Sequence, residues 1–406
     1  MLKILQINSC VNGSTGAIMK SIQSYVNERG DSCITASRKD LSKLSITPPN
    51  HIFIGGLISK HLDNDLAYVT GKEGHYSALT TKIFLKKIDK YKPDVVHLHN
   101  LHANYINLEY LFRYLRDNKI KVIWTLHDCW AFTGHCPHYE LEKCYKWKDG
   151  CFDCKVFREY PASKNDNSKY MYSEKKRFFT CLNNLTIVTP SKWLADVTKE
   201  SFLQKYSIKT INNGIDTSVF YPRKVKVLKE KYNVDTNKIV VLGVASGWEE
   251  RKGLKVFNKL AMELPEAYVI VLVGTNAEVR KEVSANIKCI DRTENQEELA
   301  NIYSEADIFV NPTMEENYPT VNIEAVCCGT PVVTYNTGGA GEIVKNGQGS
   351  IIPRGNYAEL KQSIMNRSKK KLDNAIDLKV CEYYSKERMV KEYYELYLGK
   401  DAINVK

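Results

Sequence analysis

The chain has 406 residues, 43% of them hydrophobic and 26% charged, the balance of an ordinary globular protein and long enough to favour two domains over one. The formal net charge of +11 suits an acidic ligand or an anionic membrane face. No apolar run reaches the length of a membrane span, and twelve scattered cysteines argue against a disulfide framework.

Lys3–Asn8 reads as a first strand. It is too short, and too polar at Gln6 and Asn8, for a signal peptide, so a cytoplasmic location is expected, with peripheral contact at the inner face of the membrane allowed by the charge. No single amphipathic helix stands out as the contact. The loop Val11–Gly16 follows, with Gly13 and Gly16 spaced Gly-x-x-Gly, where backbone can approach a phosphate or an acceptor. A helix from Ala17 to Arg29 stops at Gly30. The second strand ends at Ser37-Arg-Lys-Asp40, without the clean acidic ribose ligand of a dinucleotide site. Helix and strand then alternate: helix Thr81–Tyr91, strand Asp94–His99, helix Glu109–Asn118, strand Lys121–Leu126. His127 and Asp128 sit at the carboxyl end of the last of these, the end that faces a ligand crevice in parallel sheets; His97, His99 and Asn100 end the strand before it.

Residues 129–160 form a Cys-rich insert with Cys136, Cys144, Cys151 and Cys154. The Cys-x-x-Cys step can present two thiolates to one metal, and a four-thiolate zinc site would stiffen the loop. Reduced thiols and disulfides are the alternatives, and any zinc is expected to be structural. Leu185–Thr189 and Lys209–Asn212 read as the closing strands of this half.

Asn212–Pro222 is rich in turn residues and leads into a basic helix, Lys224–Tyr232. The alternation then restarts, with strands at Ile239–Val244, Tyr268–Val273, Ile287–Ile290, Ile308–Val310 and Pro331–Thr334, and helices at Gly253–Leu264 and Gln296–Glu305. Ser246–Gly253 joins a strand to a helix and carries Arg251 and Lys252, a basic pair placed to neutralise a departing diphosphate. In Pro312–Val333, a loop with Glu316, Asn317 and Tyr318 precedes a helix over Thr320–Cys328. Pro319 suits the entry to that helix and Gly329 its stop. One carboxylate, Glu316, thus precedes a helix N-terminus and a second, Glu324, lies within the helix, with free N–H groups between them. That arrangement suits a nucleotide sugar: Glu316 on sugar hydroxyls, the N-terminus on the β-phosphate, Glu324 on the ribose. A last, Tyr-rich helix runs from Val380 to Leu398.

Glu316-x7-Glu324, followed by Glu-Ala-x-x-x-Gly-Thr-Pro-Val-Val and Gly338-Gly339-x-x-Glu342, resembles the family 4 glycosyltransferases, of the bacterial polysaccharide-biosynthesis type, over most of the chain. The resemblance implies an α/β architecture, the GT-B fold, with two Rossmann-like domains facing an interdomain cleft. The expected division is an acceptor-side domain over 1–215, a nucleotide-sugar domain over 216–380, and a segment 381–406 that crosses back to the first. It also implies retaining transfer of a hexose from a nucleoside-diphosphate sugar to a glycan or lipid-linked acceptor. In that reading Glu316, His127, Lys252 and Arg251 are catalytic. Gly13, Gly16, Asp128, Asn317, Tyr318, Pro319, Thr320 and Glu324 bind substrate, and no cofactor is required. Many members carry the arginine five residues before the lysine, where this chain has Gly247, so Arg251 is taken as its substitute. Asp291–Glu294 and Tyr303–Asp307 resemble the base-binding turn and the helix after it.

Within the fold, an inverting transferase or a sugar-nucleotide epimerase is the alternative. A nicotinamide oxidoreductase is disfavoured by the absent three-glycine fingerprint. Nucleic acid is not an expected partner, because no basic stripe with interleaved aromatics surrounds the cysteines.

Overall fold

The computed structural model describes residues 1–39, 47–344, 347–367 and 378–400. Asp40 and residues 401–406 of the expected C-terminal segment lie outside the described residues. The chain divides into two compact units: Met1–Ile211 together with the segment from Val390 on, and Asn212–Met389.

Unit 1 is built on seven strands: β1 (Lys3–Asn8), β2 (Ser32–Arg38), β3 (His51–Ile54), β4 (Val95–Leu98), β5 (Lys121–Thr125), β6 (Leu185–Thr189) and β7 (Ser207–Thr210). They pair in parallel in the order β3-β2-β1-β4-β5-β6-β7. Its helices are α1 (Gly13–Glu28), α2 (Leu57–Thr70), α3 (Ala78–Tyr91), α4 (Leu108–Asp117), α5 (Ser168–Phe179) and α6 (Lys192–Lys199). The central strands are apolar on both faces; Val95, Val96, Val122, Ile123 and Trp124 are all buried, as a sheet covered by helices requires. Helix α1 begins at Gly13, four residues before the sequence reading, so Gly13 and Gly16 stand in its first turn and not in a free loop. Strand β3 and helices α2, α5 and α6 have no counterpart among the elements expected from the sequence.

Unit 2 holds β8 (Ile239–Val244), β9 (Tyr268–Val273), β10 (Ile287–Ile290), β11 (Ile308–Asn311), β12 (Val332–Tyr335) and β13 (Gly349–Ile352), parallel and ordered β10-β9-β8-β11-β12-β13. This is the Rossmann order, with strands running outward in both directions from a switch point between β8 and β11; unit 1 has the corresponding point between β1 and β4. The helices are α7 (Val227–Glu230), α8 (Leu254–Glu263), α9 (Ala277–Glu282), α10 (Gln296–Glu305), α11 (Thr320–Cys327), α12 (Ala340–Ile343), α13 (Tyr357–Met365), α14 (Leu378–Tyr383) and α15 (Lys386–Tyr397). The basic helix expected over Lys224–Tyr232 is reduced to the single turn α7.

The expected continuous helix Val380–Leu398 is interrupted at Tyr384–Ser385. There Ile215 donates to the Tyr384 carbonyl at 2.9 Å and accepts from the Lys386 N–H at 2.8 Å. A strand-like bridge thus takes backbone groups that a continuous helix would use. From Val390 on, α15 belongs to unit 1, where Tyr393 and Tyr397 are buried. Among the described residues no helix is long and apolar enough to cross a membrane.

Candidate functional site

In unit 2 the chain leaves β8 through Ser246–Gly253 and leaves β11 through Pro312–Pro319, the two loops that flank the switch point. They are bonded together. The Met314 N–H and the Thr313 hydroxyl both donate to the Arg251 carbonyl, at 2.7 and 3.2 Å. Gly253 has φ +81°, and a Cβ there would lie 2.6 Å from the Pro312 carbonyl oxygen. The turn after β12 closes the group: the Thr337 hydroxyl donates to the Thr313 carbonyl at 3.0 Å, and the Gly339 N–H to the Asn317 carbonyl at 2.7 Å. Gly338 has φ +53°, and a Cβ there would come within 1.7 Å of the Glu316 carbonyl oxygen, so only glycine lets the turn sit against the loop.

This scaffold aims three charged groups. The Lys252 ammonium pairs with Glu316 Oε2, while Glu316 Oε1 accepts from the Asn317 N–H at 3.2 Å. Both side chains are about one-fifth exposed, so the pair is partly desolvated yet reachable by a ligand. Arg251 is held differently: its Nε donates to Glu249 at 2.9 Å. Asn317 and Tyr318 are buried and shape the loop from within. Pro319, at φ −70°, caps α11, and Thr320 begins it. The first-turn N–H groups of α11 therefore emerge beside Glu316. One turn further on, Glu324 accepts from the Tyr303 hydroxyl at 3.1 Å and from the Thr320 hydroxyl. Burial pushes the Glu324 carboxyl up to about 7, against the lowering effect of those hydroxyls. Tyr303, fully buried on α10, fixes the Glu324 carboxyl group; its place in the apolar frame of Gln296–Glu305 is the available sequence signal.

In unit 1 the first turn of α1, which follows β1, carries Gly13 at φ +72° and Gly16, where a Cβ would lie 2.4 Å from the Val11 carbonyl. Asn8 ties the short link after β1 to that turn by donating to the Cys10 carbonyl (3.0 Å) and the Thr15 hydroxyl (3.1 Å). His127 follows β5 and stacks on His99 with ring centroids 5.5 Å apart. The Gln6 amide nitrogen donates to the Met19 carbonyl at 3.0 Å, which leaves its oxygen facing His99 Nε2 at 3.1 Å. His99 therefore carries its proton on Nε2, and its Nδ1 accepts from His127 Nε2–H at 3.2 Å. Burial depresses the His127 imidazolium to about 4, so the ring is neutral at physiological pH. Asp128 turns inward: it accepts from the Trp130 N–H at 2.9 Å and faces His102 Nε2 at 3.4 Å. His97 and His99 are buried, with His97 held by the Tyr397 and Thr125 hydroxyls, so the strand before β5 offers no exposed histidine.

Cys136, Cys144, Cys151 and Cys154 are free thiols lining one cavity of about 220 Å³ with Tyr139 and Trp147. Cys151 Sγ accepts from the Gly134 N–H at 3.0 Å. Burial pushes the Cys136 thiol well up and Cys154 to about 11. Among the described residues no three His, Cys, Asp or Glu side chains gather into a group able to hold a metal ion. Beside the insert, Lys175 is fully buried; it donates to the Trp130 and Thr133 carbonyls and lies 3.5 Å from the Trp130 ring centroid.

Two sequence families match the chain: one described as Glycosyl transferases group 1 over residues 225–388, the other as Glycosyltransferase Family 4 over residues 63–219. The putative colanic acid biosynthesis glycosyl transferase WcaC of Escherichia coli K12 is 24% identical over 326 residues, covering 75% of this chain and 76% of that protein. Among solved structures, the sucrose-phosphate synthase of Thermosynechococcus elongatus superposes with a TM-score of 0.73 at 17% identity, covering 98% of this chain and 99% of the other. Anabaena HepE, solved in complex with UDP-glucose, gives 0.62 at 14% identity, covering 98% and 100%.

Proposed function

The chain belongs to the family 4 glycosyltransferases and has their GT-B fold, and from that premise we propose that it moves a hexose from a nucleoside-diphosphate sugar to a glycan or lipid-linked acceptor in cell-surface polysaccharide synthesis, with retention of configuration. The carrying observation is the Lys252–Glu316 pair beside the N-terminus of α11, with Glu324 one turn inside it. It supports a donor on unit 2. Glu324 and Tyr303 take the ribose, the α11 N–H groups and Lys252 take the diphosphate, and Glu316 takes the sugar hydroxyls. The complex of HepE with UDP-glucose and the naming of WcaC for colanic acid biosynthesis support a nucleotide sugar and a surface glycan.

In the reaction the C1–O bond to the β-phosphate breaks as the acceptor oxygen bonds to C1 on the same face. The acceptor proton passes to the departing phosphate oxygen. Lys252, assisted by Arg251 once it leaves Glu249, stabilises the charge that grows on the diphosphate. Releasing Glu316 from Lys252 when the diphosphate arrives frees its carboxylate for the sugar and for the oxocarbenium-like centre. On unit 1, Gly13 and Gly16 let backbone approach the acceptor, and neutral His127 offers hydrogen bonding to a sugar hydroxyl. Asp128 acts through His102 and the Trp130 turn, as a positioning residue.

The test has two stages. UDP-, GDP- and ADP-sugars are screened by thermal shift, where the true donor raises the melting point by mass action. The product anomer is then read by NMR. A donor that stabilises the protein but yields an inverted product overturns the retaining mechanism and leaves the binding assignment standing.

A further inference from the structure

Helix α2 turns its apolar side outward, the reverse of an ordinary surface helix, and α3 adds two outward apolar side chains to a lysine-rich face. Eight of the twenty large apolar side chains exposed among the described residues lie between Phe53 and Ile83. On α2, Ile58, Leu62, Leu66 and Val69 are exposed to 79, 58, 45 and 49%. Their spacing of i, i+4, i+8 and i+11 puts all four on one stripe of the helix. The same helix buries only Asp63 and Ala67. Helix α3 packs inward through Thr81, Phe84 and Ile88, and its outward arc opens with Leu79 and Ile83, 71 and 51% exposed. That arc continues with Lys82, Lys86, Lys87 and Lys90, all exposed. The helices are joined: the Ser77 hydroxyl donates to Asp63 at 2.6 Å, and a Cβ on Gly55 would touch both Ser59 and Thr80. Asp65 borders the apolar stripe and Asp89 the lysine arc, the acidic groups on this face.

We propose that the outward faces of α2 and α3 dock the protein on an anionic bilayer surface, with the α2 stripe and Leu79 and Ile83 entering the headgroup layer and the α3 lysines pairing with lipid phosphates. An apolar ridge of separate side chains with a cationic flank is the arrangement of an interfacial helix, and a patch of this kind on a monomer marks an interaction site. The lysine flank selects the occupant. A second copy of this chain would bring like charge to like charge, on a protein already at +11, whereas an anionic leaflet complements it. The docking rests on this surface alone. That it serves transfer to a lipid-linked acceptor rests on the function proposed above.

The test is co-sedimentation of the full chain with phosphatidylcholine vesicles, with and without phosphatidylglycerol, in the absence of donor and acceptor. Binding is expected to vesicles containing phosphatidylglycerol, to weaken with salt, and to be poor for phosphatidylcholine alone. L62S/L66S and K86E/K87E are each expected to weaken binding on the order of tenfold or more while leaving the melting point and transfer to a soluble acceptor unchanged, since these side chains are exposed and outside the donor site. Failure to sediment, or equal binding by the variants, overturns the proposal. So does a concentration-dependent dimer that L62S/L66S abolishes, which would make this face an interface between copies. Because transfer to the soluble acceptor is measured separately, loss of docking and loss of the proposed reaction are distinguishable.

Discussion

At the residue scale, the assignment turns on two carboxylates in different environments. Glu316 is paired with Lys252, and the proposed role needs its charge at the sugar. Glu316→Gln keeps the hydrogen-bonding shape and removes the charge. Turnover is expected to fall about 100-fold or more with stability changed by less than about 1 kcal/mol. Steady-state rates that stay near wild type would remove Glu316 from the mechanism. Glu324 titrates higher, at about 7 against an ordinary 4.5, because of its burial. A raised carboxyl keeps its proton in the folded state across that window, so its contribution to stability is lost as pH rises through about 7. Ribose hydroxyls donating to Glu324 favour the ionised form. Affinity for the nucleotide sugar should therefore climb with pH up to about 7 by at most about tenfold per unit and then level. Calorimetric titration of Glu324→Gln should give a flat profile; an unchanged slope would place the titrating group elsewhere.

At the element scale, loops and not helices hold the proposed donor-binding groups together. The turn after β12 presses on the Glu316 backbone through Gly338, and no larger residue fits there. Gly338→Ala is expected to cost more than about 2 kcal/mol in denaturant unfolding and to reduce donor affinity, because relieving the clash displaces Glu316. An alanine variant as stable and as active as the parent would show that the turn is not a clamp. The same scale frames the Cys-rich insert. Its four thiols surround one cavity and are proposed as ligands of a structural zinc, which requires the sulfurs to draw inward from where they stand. Purified protein should carry about one zinc per chain. Elemental analysis near zero leaves a reduced thiol cluster. Much at this scale was legible from the chain itself: alternating strand and helix, the stop at Gly329, and the acid-helix-acid order around α11 follow from local propensity and periodicity. The break at Tyr384–Ser385 was not, because the competitor for those backbone groups is Ile215, about 170 residues away.

At the scale of the whole molecule, unit 1 depends on residues from the end of the chain. Tyr397 bonds His97, and Tyr393 bonds Thr125, inside a sheet formed by the first half. His97, which they help enclose, and half-buried His127 are neutral: burial takes His97 to about 3 and His127 to about 4, from an ordinary 6.5. The unfolded chain binds protons that the native state refuses, so stability is lost as pH falls below about 6.5. Each of the two histidines should contribute about 1.4 kcal/mol per pH unit between 6.5 and its own folded value. Melting points recorded from neutral pH down to about 4 should decline accordingly. A flat profile would contradict neutral His97 and His127.

Taken by itself, the amino-acid order determined the two-fold repetition of parallel α/β architecture and the loop-then-helix order around Glu316 and Glu324. Those properties are set by neighbours a few positions apart, through apolar period, turn residues and helix punctuation. Only the tertiary structure decided which way side chains face. Asp128, expected to bind substrate, accepts from the Trp130 N–H and faces His102, contacts that its sequence neighbours alone do not reveal. His99 became the buried holder of the His127 proton through Gln6 on another strand. Periodicity can mark the stripe on α2 as apolar, but burial is a property of what packs against a helix, and there the fold leaves the apolar side outward.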